Sequence, residues 1–247
     1  MKTLLFAEGD VGLEITKHMI TYFPQDLIAV FVTDENAISE AARAANIPYR
    51  IFRSSDEDAT YIRENGYDPE LGILAWWPRL IKQPLLGLPT LGFLNTHPSF
   101  LPYNRGKHYN FWTLVEQSPF GVSLHFVDEG IDTGDTVAQQ KIEYDWEDDG
   151  ESLYFKAQQS LKQLFIDTYP LVRVGNVVRK AQDLSTGSFH KSNEIESASK
   201  IDLDSSMQVR RLLNQLRART FAGKPACWFE DNGQTYEVRI DITRREK

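Results

Sequence analysis

Residues Phe93 to Gly106 read FLNTHPSFLPYNRG, and the first half of that stretch decides the fold. Side chains alternate along an extended strand, so Asn95 and His97 share one face while Thr96 points to the other. Pro98 lacks the donor a ladder needs and holds His97 extended, which ends the strand and sends the chain out of the sheet. An amide and an imidazole are therefore presented together at the carboxyl end of a strand, the rim at which open α/β sheets bind ligands. On its own, an N-x-H-P stretch also reads as a capped strand end with a hydrogen-bonded histidine in a turn.

Working outward, Gly121 to Gly134, GVSLHFVDEGIDTG, supplies a partner. Val122, Leu124 and Phe126 alternate with Ser123, His125 and Val127 as a strand would, and an acidic, glycine-punctuated loop follows with Asp128, Glu129 and Asp132. A carboxylate from that loop can meet the imidazole. Upstream, Thr3 to Ala7, Leu27 to Thr33, Tyr49 to Phe52 and Leu71 to Trp76 read as short strands. Helical patterns through Met19, over Ala37 to Ala45 and over Ala59 to Asn65 separate them. This alternation predicts an α/β chain with a Rossmann-like, mostly parallel sheet covered on both faces. The glycines of the turn Glu8 to Gly12 are wrongly spaced for a G-x-G-x-x-G fingerprint, and no Lys-Ser/Thr phosphate loop is present, so no dinucleotide is expected.

Downstream, a helix is predicted from about His108 to Glu116, a strand over Thr136 to Tyr144, and a long helix from Ser152 to about Val172. Glu147, Asp148 and Asp149 then read as acids at a helix start. Gly175 to Ala181 reads as one more short strand. From Asp183 the texture turns polar, which divides the chain into a sheet domain, residues 1–184, and a C-terminal region, residues 185–247. Ser205 to Arg219 is a basic amphipathic helix with Val209, Leu212, Leu213 and Leu216 on one face and Arg210, Arg211, Arg217 and Arg219 elsewhere. Ala226 to Thr243 reads as two strands split at Asp231-Asn232-Gly233, a strong hairpin signal.

Composition narrows the class without naming a chemistry. The 247 residues are 41% hydrophobic and 25% charged, enough for one large domain or a domain with an appendage. A net charge of −8 disfavours a nucleic-acid or anionic-membrane surface. The single Cys227 allows no internal disulfide and fits a reducing compartment, no Cys/His spacing suits structural zinc, and no run approaches a membrane span or a signal peptide. Trp76 and Trp77 stand at a strand end, where they serve either as wedge packing or as ligand contacts. Arg105 and Lys107 flank a glycine before a helix start, which is either a solvated basic turn or a phosphate cradle.

The N-x-H motif, HPS-x-LP with a glycine beyond, and the later D-x-G loop resemble the 10-formyltetrahydrofolate-dependent formyltransferases, strongly over Leu91 to Val137 and more loosely from Met1 to about Leu184. The resemblance implies the formyltransferase fold and puts the catalytic trio on Asn95, His97 and Asp132. It implies 10-formyltetrahydrofolate as co-substrate, no metal, and folate contacts among Trp76, Trp77, Arg79, Asp128 and Gly130. The run RGKHYNFW resembles the subgroup acting on nucleotide-linked amino sugars, particularly the small dTDP-4-amino-4,6-dideoxyglucose N-formyltransferases. Tyr109 departs from that subgroup, which usually has proline there. Sugar-nucleotide contacts are then expected among Arg105, Lys107, Asn110, Trp112, Phe189, His190 and Lys191. The C-terminal LRARTF and hairpin also look like that subgroup, implying a homodimer, a cytoplasmic enzyme and a product destined for lipopolysaccharide O-antigen or another surface glycan. A dTDP-3-amino sugar, GDP-perosamine, glycinamide ribonucleotide or methionyl-tRNA acceptor stays open as an alternative, as does a non-catalytic nucleotide-sugar binding protein.

Overall fold

Thr3–Ala7 (β1) and Leu71–Ala75 (β4) are buried at every position, as strands covered on both faces must be. In the computed structural model, which describes residues 1 to 246, they pair in parallel, Thr3 with Leu71 through to Ala7 with Ala75. Leu27–Val32 (β2) and Tyr49–Ile51 (β3) extend the sheet on one side, and Phe93–His97 (β5) on the other, all in parallel. The helices Gly9–Tyr22 (α1), Ala37–Ala44 (α2) and Ser55–Glu64 (α3) connect the first four strands. Gly121–Phe126 (β7) then enters antiparallel to β5, and Thr136–Lys141 (β8) completes the seven-stranded order β3-β2-β1-β4-β5-β7-β8. The expected mostly parallel α/β sheet is thus present, with the order reversing between β1 and β4, the crevice where doubly wound sheets take ligands.

The remaining elements are the two-residue strands Arg105–Gly106 (β6) and Phe189–His190 (β9), helices Tyr109–Glu116 (α4), Gly150–Arg173 (α5), Glu194–Ser199 (α6) and Val209–Ala218 (α7), and the strands Cys227–Asp231 (β10) and Gln234–Val238 (β11). The hairpin β10·β11 turns at Asn232 and Gly233, both at positive φ, as a two-residue hairpin turn requires. Contacts group the chain into two units. One holds Met1–His97, Ser123–Gln139 and Gln158–Gln182; the other holds Pro98–Val122, Gln140–Ala157 and Asp183 onward.

Several boundaries move for identifiable reasons. Helix α3 starts four residues before Ala59, because polar groups rather than the apolar stripe open it. Ser54 accepts from the Glu57 N–H at 3.2 Å, and Asp56, Glu57 and Asp58 fill the first turn. Helix α1 begins at Gly9 instead of after Gly12, with the Glu8 carboxylate accepting from the Gly9 N–H. Gly175 to Ala181 is not a strand: its one ladder contact is an isolated bridge from Lys180 to Thr136. In α7, Arg217 is not on a solvated face. It is buried and donates to the carbonyls of Asp145 (2.5 Å) and Asp148 (2.9 Å) and to Asn214 Oδ1. Asp148 and Asp149 are helix-start acids, as expected: Asp149 and Ser152 cap each other's backbone N–H groups, and Asp148 accepts from Lys156 at 2.7 Å.

Aromatic packing fills the core of the first unit. Phe6 stacks on Phe31 with centroids 4.4 Å apart and meets Phe52 and Phe93 edge-on. Each such fully buried side chain contributes about 2 kcal/mol. One buried charge sits at the sheet's amino-terminal end: Asp26 accepts from Arg173 Nε (2.6 Å), Tyr169 Oη (2.8 Å) and the Met1 ammonium (3.2 Å). Burial alone would raise the Asp26 pKa, but the three donors outweigh it and hold it below its ordinary value. A carboxyl lowered on folding stabilises above its unfolded pKa, and that contribution is lost as pH falls through the folded value. Asp26→Asn should therefore cost about 2 kcal/mol at neutral pH, with the difference from wild type shrinking below pH 3.8, as read by denaturant melts across pH. An unchanged or pH-independent difference would make the cluster an incidental surface pair.

Candidate active site

The antiparallel step from β5 to β7 builds the site. It sets Asn95 opposite His125 and His97 opposite Ser123. Cross-strand pairs on one face come within reach of each other's side chains. Asn95 Nδ2 lies 3.1 Å from His125 Nε2, while His125 Nδ1 lies 3.0 Å from the Phe126 carbonyl. A carbonyl only accepts, so Nδ1 carries the proton and Nε2 presents a lone pair to the Asn95 amide. That fixes the amide's orientation.

The acidic loop delivers the third group. Asp132 Oδ1 is 3.5 Å from His97 Nδ1 and 3.6 Å from His125 Nε2, and both imidazoles are almost fully buried. Asp132 adopts a left-handed φ of 54°, a conformation that needs support. Gln182 Nε2 supplies it by donating to the carbonyls of Asp132 (3.0 Å) and Gly134 (2.7 Å). Gly134 lies so close to the Phe126 carbonyl that any Cβ there would collide with it. The expected trio is thus brought together. His125, read from sequence only as a strand residue, joins it; the signal was its alternation with Ser123, but its partner could be named only once the register was known. Among the described residues, His97, His125 and Asp132 are also the one set with ligand atoms close enough, within 4.8 Å, to hold a metal ion.

The expected folate contacts diverge. Trp76 sits at the carboxyl end of β4, half-buried. Trp77 turns its ring into the core, edge-on to Phe6 (5.4 Å) and Phe52 (5.3 Å), the wedge role. Arg79 lays its guanidinium 5.7 Å over Phe52. Asp128 accepts from the Gly130 N–H and Thr133 Oγ1, so it shapes the acidic loop in which both it and Gly130 lie.

In the second unit, two sequence-distant groups of candidates meet. The parallel ribbon β6·β9 pairs Arg105 with Phe189 and Gly106 with His190, which puts Lys107 and Lys191 at the same end, both exposed. The Trp112 ring stacks on His190 at 3.8 Å, and His190 is gripped by Glu116 (2.7 Å) and Glu194 (3.2 Å). Asn110 spends its amide on the Gly150 carbonyl. Arg105 Nε and Trp112 Nε1 are buried donors with no partner among the described residues. Natural proteins leave few such groups, and a ligand is one reason for them.

The sequence family described as formyl transferase matches residues 16–169, and the family described as N-formyltransferase dimerization C-terminal domain matches residues 194–244. The first match covers more than half of the chain, which therefore belongs to the formyl transferase family. A dTDP-4-amino-4,6-dideoxyglucose formyltransferase of Mycobacterium bovis is 27% identical over 148 residues, 60% of this chain and 63% of the relative, so the match spans less than two thirds of that protein. A 4-N formyltransferase from Francisella tularensis superimposes with a TM-score of 0.82 at 22% identity over 99% of each chain. An N-formyltransferase from Helicobacter canadensis, solved with folinic acid and dTDP-3-aminofucose, gives 0.70 at 16% identity over 94% of this chain and 85% of that one. These two structures share the fold.

If the His97–Asp132 pair moves protons, then His97→Ala and Asp132→Asn should each lower turnover by about two to four orders of magnitude, the usual scale for acid–base groups. Substrate dissociation constants should change little. Full turnover in either variant, or loss of activity that tracks loss of the folded state, would return the pair to a structural role.

Proposed function

We propose that the protein transfers the formyl group of 10-formyltetrahydrofolate to the amine of a nucleotide-linked amino-deoxy sugar. The observation that carries this reading is the Asn95, His97 and Asp132 cluster at the carboxyl end of β5 in a chain of the formyl transferase family. The reaction needs a free amine to attack the formyl carbon, a donor for the oxyanion that forms, and a proton for the departing folate nitrogen. Asn95 offers the second N–H of its oriented amide to the oxyanion. His97 takes the proton from the attacking amine and returns it to the leaving nitrogen, and Asp132 orients the ring and stabilises it while charged. None of these steps needs a metal, so turnover should survive exhaustive chelation.

On this reading Trp76, at the strand-order reversal, faces the folate, and the β6·β9 ribbon recognises the sugar nucleotide. Lys107 and Lys191 suit a diphosphate, since charge-assisted bonds to phosphate are the stronger kind. Arg105 and Trp112 hold the buried donors that a ligand would satisfy. The acceptor we favour is dTDP-4-amino-4,6-dideoxyglucose, supported by RGKHYNFW and by the M. bovis relative. Its formylated product would enter O-antigen or another surface glycan. We place the enzyme in the cytoplasm: Cys227 is buried and unpaired, and among the described residues no helix is long and apolar enough to cross a membrane. We read it as a homodimer joined through the β10·β11 hairpin region, where the dimerization family matches and Tyr236 is 47% exposed. We assign no nucleic-acid or membrane partner.

A formylation assay with a panel of dTDP-4-amino, dTDP-3-amino and GDP-4-amino sugars, glycinamide ribonucleotide and methionyl-tRNA tests the acceptor. The dTDP-4-amino sugar should give the highest kcat/KM. Preference for another amine would move the acceptor, and no turnover of any would favour a binding protein. Lys107→Ala and Lys191→Ala should raise the sugar-nucleotide dissociation constant at least about threefold while sparing folate, as exposed charged contacts are worth on the order of 1 kcal/mol. If calorimetry finds both constants untouched, the nucleotide site lies elsewhere. Light scattering should give twice the chain mass at micromolar protein; a concentration-independent monomer would refute the dimer.

A further inference from the structure

Thr96 lies between the two catalytic positions of β5 but faces the other way, and it is 3% exposed. Its hydroxyl has both of its bonds in place: Oγ1 accepts the backbone N–H of Trp76 at 2.9 Å and donates to the Leu74 carbonyl at 3.0 Å. Backbone pairing between β4 and β5 stops at Leu74 opposite Asn95. Beyond that point a side chain takes over the role of the ladder.

What it holds is an unfavourable conformation. Trp76 has φ 57°, the left-handed region that bulky aromatic residues avoid. Such strain persists only where the surroundings enforce it, and it collects at ligand sites. Here β1 ties the turn through the Glu8 N–H on the Ala75 carbonyl, and β5 ties it through Thr96. The turn lies where the strand order reverses, the ligand crevice of this sheet type.

We propose that Thr96 is a positioning residue for the folate: its hydroxyl holds the left-handed Trp76 turn in the shape that the folate binds. The inference rests on the folate half of the function proposed above and is independent of the acceptor. It predicts a separation of effects. The Asn95 and His97 side is kept in place by the β5·β7 register and by Asp132, which a change on the opposite face of β5 does not touch. Thr96 should therefore govern folate affinity and leave the chemical step alone.

Thr96→Val is nearly isosteric and replaces the hydroxyl with a methyl, leaving the Trp76 N–H without its Thr96 acceptor. By calorimetry it should raise the dissociation constant of tetrahydrofolate roughly tenfold, the scale of one lost hydrogen bond of about 1.4 kcal/mol. With saturating folate its kcat should stay within about threefold of wild type, and the KM of the sugar nucleotide should not move. Thr96→Ser keeps the hydroxyl and should bind folate within about twofold of wild type. Glycine adopts positive φ without strain, so in a Trp76→Gly background Thr96→Val should shift folate affinity by less than about threefold. Wild-type affinity in Thr96→Val overturns the proposal, and so does a Ser variant as weak as Val, which would make methyl packing the cause. If Thr96→Val fails to fold, the Ser variant and the Gly-background pair decide. Wild-type protein that binds no tetrahydrofolate would sink this inference and the folate reading together, whereas normal folate binding with no acceptor turned over would leave this one standing.

Discussion

One carboxylate oxygen shared between two buried imidazoles is the constraint on which the site depends. Asp132 Oδ1 lies almost equally far from His97 and His125, 3.5 and 3.6 Å. One oxygen is thus placed against two rings at once. His125 is kept from competing by its other bonds. Its Nδ1 proton is engaged by the Phe126 carbonyl and its Nε2 lone pair by the Asn95 amide, so both of its ring nitrogens are already committed. That leaves His97 as the ring whose pairing with Asp132 the proposed function uses.

The loop around Asp132 is built to hold that oxygen in place. Two donations from Gln182, the Asx-type turn of Asp128 and the close approach of Gly134 to Phe126 fix the backbone on either side of a residue with positive φ. Each bond of this kind contributes only about 1 kcal/mol, yet misplacement of a catalytic group by a single ångström costs far more in rate. Much of this loop's hydrogen bonding thus serves placement.

What the sequence made legible follows from what is encoded locally. The strands of the core were readable because apolar runs bounded by turn residues leave little choice; Pro98 marked the strand end that carries Asn95 and His97, while Asp132 was singled out from the acids of its loop only by the family resemblance. The hairpin at Asn232-Gly233 was readable for the same reason. Elements whose support is long-range were not. Helix α6 and the β6·β9 ribbon have too few residues to show a period, and Gly175 to Ala181 looked like a strand although only Lys180 finds a ladder partner. Arg217 looked solvated because an arginine on a basic helix usually is; two carbonyls from the turn before α5 make its burial tolerable. His125 is the instructive case: its place on a face was visible, but its function depends on an antiparallel register that no single strand can reveal.

The two units hold their candidate residues in different ways, which bears on how such a chain can change what it recognises. Asn95, His97 and His125 lie on central strands of a buried sheet, with Asp132 on the loop that follows, and β5 also carries Phe93 of the aromatic core, whose packing is worth several kcal/mol. The expected nucleotide contacts sit on a two-residue ribbon and the adjoining helix α4, with Lys107 and Lys191 exposed at the ribbon end. Substitutions at exposed positions usually cost less than about 0.5 kcal/mol of stability. Under the proposed function, acceptor preference could therefore drift at those lysines at little cost to the fold.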